Sequence, residues 1–368
     1  MIEKEGALIF GILLNAIIDH IERSMEPNVM LTIFRQELTI ALRHNDTTSS
    51  RDDDIISLLE KFFQSLRLNL TKGCLTFFCK KISNGHADFL LDDLIHIHET
   101  TIQVGGDGTL TNSQKEITKP TLDALIEIQE AGKKVVLASG RPTKGVVPLA
   151  EQLHLEDYGS YILSFNGGRI TDCRTKKAIY NKILPADCAK GVYETVIKYA
   201  GHGVDILTYT SEHILSGIHS NQYTELESRI NQMPIIDAGA DFLDVIPDDP
   251  NKFLVTGDPD ILDQIRKELS KQFHSYLSVY CSDPFFVEVM PAGIDKAHSL
   301  LKLLTSIGLT ADEMICCGDG YNDLTMIETA GLGVAMANAQ PAVLDKADYI
   351  TKSNDEDGVL HVINEFMR

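Results

Sequence analysis

Four short polar stretches of this 368-residue chain carry residue types that could do chemistry together. The first is Gly105-Gly106-Asp107-Gly108-Thr109, after the alternating run Thr101-Ile102-Gln103-Val104. A glycine turn at a strand end sets one carboxylate among several backbone N–H groups, where a phosphate can sit. The second is Ser139-Gly140-Arg141-Pro142, after the apolar run Lys134–Ala138, which offers a hydroxyl and turn amides as phosphate donors. The third is Lys296, at the start of a helical pattern, a cation able to neutralise the same phosphate. The fourth is Gly318–Asp323 after the apolar run Met314–Cys317. There Asp319 and Asp323 stand four apart around a glycine turn, which suits a hard cation such as Mg²⁺ held by oxygens. With Asp107 as a general acid or base, these groups form a minimal kit for phosphoryl transfer, where positioning and charge stabilisation dominate.

Taken singly, each stretch has a plainer reading. Ser139 is a helix N-cap residue type. Lys296 is a solvated side chain, Gly318–Asp323 an acidic loop, and Gly105–Thr109 an ordinary glycine turn. Their common placement, each at a strand end or a helix start of one repeating pattern, makes them a site.

That pattern begins at Thr101. Leu122, Leu125, Ile126 and Ala131 form a helical apolar stripe, with Pro120 near its start and Gly132 as its C-terminal cap. Strand-like runs at Lys134–Ala138 and Tyr161–Ser164 flank a helix over Val146–Leu153. Repeated βαβ units predict a doubly wound parallel sheet with helices on both faces, and ligands bind at the carboxyl ends of such strands. Residues 185–289 break the alternation with strand-like runs (Val204–Tyr209, Lys252–Thr256, Tyr276–Tyr280, Phe285–Val289) and helices (Ala189–Ala200, Asp260–Phe273). They read as an α+β domain inserted into the sheet domain of residues 101–184 and 290–368. Residues 1–98 read as a mostly helical N-terminal extension. His96 and His98 there share one face of a strand, but with no third ligand they read as solvated.

Composition narrows the partners. The net charge of −20 repels nucleic acid and anionic membrane surfaces, so neither is expected. The apolar run Ala7–Ile18 is too short to span a bilayer and has an acidic flank, so it reads as a buried helix. Seven cysteines without CxxC spacing argue against a disulfide framework and a zinc ribbon, and suit a reducing cytoplasm.

The order of motifs resembles the haloacid dehalogenase superfamily, specifically the Cof-type (IIB) phosphatases with a large inserted cap. That family's Asp-x-Asp-Gly-Thr is matched by Gly105–Thr109, and its Ser/Thr-Gly-Arg-Pro by Ser139–Pro142. Its Asn-Gly is matched by Asn166-Gly167, its lysine after Pro-x-Gly by Pro291–Lys296, and its Gly-Asp-x-x-Asn-Asp by Gly318–Asp323, followed by Gly333–Met336. The resemblance covers about residues 101–368 and implies a Rossmann-like core with a cap. It also implies Mg²⁺-dependent hydrolysis of a small phosphorylated metabolite, a sugar phosphate or a phosphorylated cofactor. By the same resemblance Asp107 is the acid/base, and Ser139, Gly140, Lys296 and Asn322 hold the phosphate. Arg141 and Asn166 lie on the substrate side, and Asp319, Asp323 and the Asp107 backbone carbonyl serve the metal.

The chain departs from the pattern at Gly105. In the family this place holds the Asp that attacks phosphorus and ligates Mg²⁺, and glycine can do neither. Gly106 stands where an apolar residue is normal, and the strand ahead of Gly105 is less apolar than a central parallel strand should be. With the unmatched residues 1–98, this suggests that the sequence upstream of Asp107 is foreign to the original gene, by fusion, frame shift or gene-model error. A catalytically silent phosphate-binding protein of the same fold is therefore the alternative to an active phosphatase. Gly-Gly-Asp-Gly-Thr also occurs in the nucleotide loop of lipid and NAD kinases, but Ser139–Pro142 and Gly318–Asp323 follow the phosphatase pattern.

Overall fold

The structure, a computed structural model, describes residues 101–368. The helices expected over residues 1–98, with His96, His98, Cys74 and Cys79, lie outside the described residues. In chain order the strands are β1 (Thr101–Gly105), β2 (Val135–Ala138), β3 (Tyr161–Ser164), β4 (Arg169–Asp172), β5 (Ala178–Asn181), β6 (Asp205–Tyr209), β7 (Ile214–Ser216), β8 (Ile235–Asp237), β9 (Phe253–Thr256), β10 (Leu277–Asp283), β11 (Phe286–Pro291), β12 (Met314–Gly318), β13 (Leu332–Ala335) and β14 (Tyr349–Ile350).

They form two sheets. The larger runs β14-β13-β12-β1-β2-β3-β4-β5. From β14 to β3 every pairing is parallel, so these strands present their carboxyl ends along one edge. Helices 119–130, 143–152 and 358–366 pack Leu125, Ile128, Val146 and Ile363 onto one face of the sheet. Helices 296–307, 324–329 and 341–346 pack Leu300, Leu303, Met326 and Val343 onto the other. This is the doubly wound α/β core expected from the alternating pattern, with one correction. The sheet ends in an antiparallel hairpin, β3-β4-β5. The β4–β5 turn was unreadable because it carries no glycine signal; Lys176 takes the left-handed conformation (φ 57°) that a glycine would mark.

The chain leaves the core after β5 and builds the smaller sheet, order β10-β11-β9-β6-β7-β8. One face buries Ile206, Val255, Val287 and Val289 against helices 186–196 and 259–273. Period-two alternation then turns Leu207, Tyr209, Leu254 and Phe286 the other way, where they meet Phe165 of the larger sheet. That face roofs the carboxyl edge of the core.

The centre of the core carries an oddity. β1 lies between β12 and β2, and all five of its residues are buried. Gln103, level with Cys316 and Val136, is fully buried with no hydrogen-bond partner for either polar atom of its side-chain amide, and the Thr101 hydroxyl is also unpartnered. Buried polar groups of this kind are normally satisfied, so β1 is intrinsically unfavourable here. Among the described residues no helix is long and apolar enough to cross a membrane.

Candidate functional site

A cavity of about 470 Å³ opens between the carboxyl edge of the core and the cap sheet. Its lining includes Gly105, Asp107, Ser139, Gly140, Arg141, Lys296, Asp319, Asn322 and Asp323. The four motif stretches, far apart in sequence, thus converge on one space. Asn166 joins them through the Asn322 Nδ2 hydrogen bond to its Oδ1, 3.1 Å.

Local structure fixes each group. β1 ends at Gly105, and the turn closes when the Leu110 N–H donates to the Gly105 and Gly106 carbonyls. Gly108 is left-handed (φ 74°), and a Cβ there would meet the Asp319 carboxylate at 2.3 Å, so only glycine fits. Ser139 follows β2; its Oγ accepts from the Arg141 N–H at 3.1 Å. After β3, Phe165, Asn166 and Gly167 are all left-handed (φ 52°, 51° and 99°). Such strain in non-glycine residues clusters at functional sites, and here it accompanies the contact of Asn166 with Asn322 of the cavity lining. Asp295 caps helix 296–307 by accepting from the His298 N–H, placing Lys296 in the first turn.

Asp107 is gripped by two cations. Arg141 Nη2 contacts its Oδ2 at 2.7 Å and its Oδ1 at 2.8 Å, while Arg141 Nε donates to Oδ2 at 3.0 Å. Lys115 Nζ donates to Oδ1 at 2.9 Å. Burial pushes the Asp107 carboxyl up, but Arg141 and Lys115 together outweigh it and hold the group below the usual carboxylate range.

Lys296 and Asp323 form a buried ion pair, Nζ to Oδ1 2.5 Å. The other Asp323 oxygen accepts from the Asp319 and Gly320 N–H groups, both at 3.0 Å. Asp323 therefore organises the loop and the lysine. Asp319 accepts from the Thr109 hydroxyl at 2.6 Å. Burial pushes its carboxyl above the ordinary value, against that hydrogen bond.

These positions bear on a metal. Gly105 supplies no side-chain oxygen, and both Asp323 oxygens are engaged. Among the described residues no group of three Asp, Glu, His or Cys is placed to hold an ion. What remains is the Asp319 carboxylate and the Asp107 carbonyl, a set without the first carboxylate of the motif pattern, so the residues present do not fit the metal as that pattern requires.

The cap adds groups that the motifs did not signal. Lys252 and Glu288 pair at 3.5 Å with 3% and 8% side-chain exposure. Lys252 Nζ also donates to the Gly140 carbonyl at 3.3 Å. Glu288 accepts from the Tyr280 hydroxyl at 3.0 Å and from Asn166 Nδ2 at 3.4 Å. A cap-borne chain of polar contacts thus bridges the Ser139 turn and Asn166. The available signal was a charge beside or inside an apolar strand: Lys252 before Phe253–Thr256, Glu288 within Phe285–Met290.

Comparison with known proteins fits this geometry. The family model for haloacid dehalogenase-like hydrolases matches residues 106–363. A 5-amino-6-(5-phospho-D-ribitylamino)uracil phosphatase of Bacillus subtilis, YcsE, is 32% identical over 266 residues, covering 72% of this chain and 95% of its own. The crystal structure of a haloacid dehalogenase-like hydrolase from Bacteroides thetaiotaomicron is 44% identical, with a TM-score of 0.69 over 72% of this chain and 98% of that one. The HAD subclass IIB sugar phosphatase BT4131, at 22% identity and a TM-score of 0.61 over 73% of this chain and 98% of that one, shares the fold.

Proposed function

The chain belongs to the haloacid dehalogenase-like hydrolase family, whose phosphatases act on phosphoric monoesters, and on that premise we propose that it binds a small phosphorylated metabolite, a sugar phosphate or a phosphorylated cofactor, in the cavity beneath the cap. The phosphoryl group sits between the Ser139 hydroxyl, the Gly140 turn and Lys296, with Asn322 at its edge. Asp323 holds the Lys296 ammonium in place, which fixes a positive charge where phosphoryl oxygens gather. Asp107 stands where the leaving oxygen must gain its proton and where water must lose one. Arg141 and Asn166 face the leaving group, and the cap excludes bulk water from it. A reducing cytoplasm is the compartment this reading supposes.

The covalent step is missing. In family members a carboxylate at the Gly105 position attacks phosphorus; here no side chain stands at the end of β1. Asp107, held by Arg141 and Lys115, is not free to take over. Phosphatases of this superfamily generally use Mg²⁺, and the same substitution depletes its donor set. The chain as written therefore binds phosphate esters and does not turn them over by the aspartyl-phosphate route.

The observation that carries this reading is the convergence of Asp107, Ser139, Lys296 and Asn322 on one cavity that Gly105 also lines. Its test is phosphate release from a panel of sugar phosphates and an aryl phosphate with Mg²⁺, comparing the chain with Gly105→Asp. The variant alone should turn over and form a trappable aspartyl-phosphate. Full activity of the unmodified chain, with nothing gained by the variant, would overturn the assignment of the nucleophile's place.

A further inference from the structure

Of the three buried acids that line the cavity, Glu227, Glu288 and Asp323, one has no cationic partner. Asp107 pairs with Arg141, Asp323 with Lys296 and Glu288 with Lys252. Glu227, on the cap helix Gln222–Asn231, lines the same cavity and is 7% exposed. Its carboxylate accepts from the Tyr209 hydroxyl at 2.7 Å and makes no ion pair among the described residues; Lys252, which lies over the Tyr209 ring, is paired with Glu288 instead. A buried carboxylate with only a neutral donor is unfavourable unless something else brings the countercharge.

A second observation points the same way. Asn231, one turn further along and 2% exposed, lines this cavity too. Its Nδ2 donates to the Glu227 carbonyl at 3.0 Å, while its Oδ1 has no partner. The helix ends here, so its negative carbonyl end adds to the acceptors. Arg141 does reach the Ile230 carbonyl, but it is committed to Asp107. The Asn231 Oδ1 packs against Gly145, so the acceptors this last turn offers to whatever fills the cavity are the Glu227 carboxylate and the helix's carbonyl end.

We infer that the cap selects phosphoric monoesters whose leaving group carries a protonated amine, which Glu227 receives. An ammonium has three donors and no acceptor, and its charge is the one Glu227 lacks. A purely hydroxylated leaving group could donate to Glu227 but would leave its charge uncompensated. A carboxylate-bearing leaving group would be repelled. The inference rests on the phosphate-binding reading above, since it needs the phosphoryl group at Lys296 to place the leaving group under the cap.

Because Gly105 leaves esters intact, the full chain can be titrated calorimetrically as it is. Glucosamine 6-phosphate and glucose 6-phosphate differ by one amine, and inorganic phosphate serves as control. The amine should bind at least about tenfold tighter, the effect of gaining a charged hydrogen bond. In Glu227→Gln, which keeps an acceptor for Tyr209, the ratio should fall to about threefold or less. Glu227→Asp, a milder change that retains the charge, should fall between the two and stands in if the glutamine variant does not fold. Equal binding of the two esters to the unmodified chain, or a ratio that survives in Glu227→Gln, overturns the inference. If inorganic phosphate binds and neither ester does, the inference fails and the phosphate reading stands. If inorganic phosphate also fails to bind, both fall.

Discussion

Lys296 Nζ lies 2.5 Å from Asp323 Oδ1, in a pair whose side chains are 2% and 4% exposed. Two loop amides complete the coordination of Asp323. Removing one member of such a pair strands a buried charge, at about 3–5 kcal/mol. Lys296→Met should therefore lower the unfolding free energy by that amount in urea titration. The double variant Lys296→Met/Asp323→Leu should be destabilised by less than the sum of the two single changes, since it strands no charge. A single-variant loss under about 1 kcal/mol would mean that the pair is solvated, as surface pairs are.

The grip of Arg141 and Lys115 on Asp107 makes a pH prediction. The folded carboxyl lies below its ordinary value, so its contribution to stability is present above the unfolded pKa of about 4 and is lost as pH falls through the lowered folded value. The melting-temperature gap between the unmodified chain and Asp107→Asn should be constant near neutrality and close as the pH drops below about 4. In Arg141→Met only Lys115 opposes burial, so the Asp107 midpoint should rise in a carboxyl carbon-13 titration. An unmoved midpoint would show that Arg141 does not set it.

The core strands and the four motif stretches were legible because their signals are local: apolar runs ending in glycine turns, acids at fixed offsets. What Asp323 does was not legible. A four-residue spacing places two carboxylates on one loop, yet their directions depend on Lys296 and on loop amides that only the fold brings near. The inward face of the cap was hidden for a related reason. Alternation in β9 and β11 shows that Lys252 and Glu288 share a face with Leu254 and Phe286, but not which face looks at the core. Gln103 was the reverse case. The sequence shows only that its strand is less apolar than a central strand should be, and the structure locates the misfit in two unpartnered amide atoms at the centre of the sheet.

That misfit predicts a stabilising change. Gln103→Val removes a buried unsatisfied amide and supplies a β-branched side chain between Val136 and Cys316, where a parallel strand favours one. The gain should be about 1–3 kcal/mol in denaturant unfolding, the desolvation penalty of the freed polar group. Val is smaller than Gln, so a residual void would reduce the gain, and Gln103→Leu is the natural companion. If both variants are less stable than the unmodified chain, the amide must find partners in solution.

Restoring the missing carboxylate should also restore the metal. A Cβ at position 105 would lie 2.8 Å from Thr109 Oγ1 and 3.2 Å from Thr109 Cβ. The nearer atom is the end of a short side chain, so Gly105→Asp requires Thr109 to rotate or retreat and its hydrogen bond to Asp319 to loosen. That shift frees an Asp319 oxygen just as a second carboxylate arrives. Mg²⁺ binding to the native state alone raises stability with the logarithm of its concentration, by about 2.7 kcal/mol at a hundredfold excess over Kd. The variant's melting temperature should therefore climb with millimolar Mg²⁺ and fall back with chelator, whereas the unmodified chain should change little. An equal rise in the unmodified chain would show that Asp319 and the Asp107 carbonyl suffice, and that Gly105 costs the site its nucleophile but not its metal.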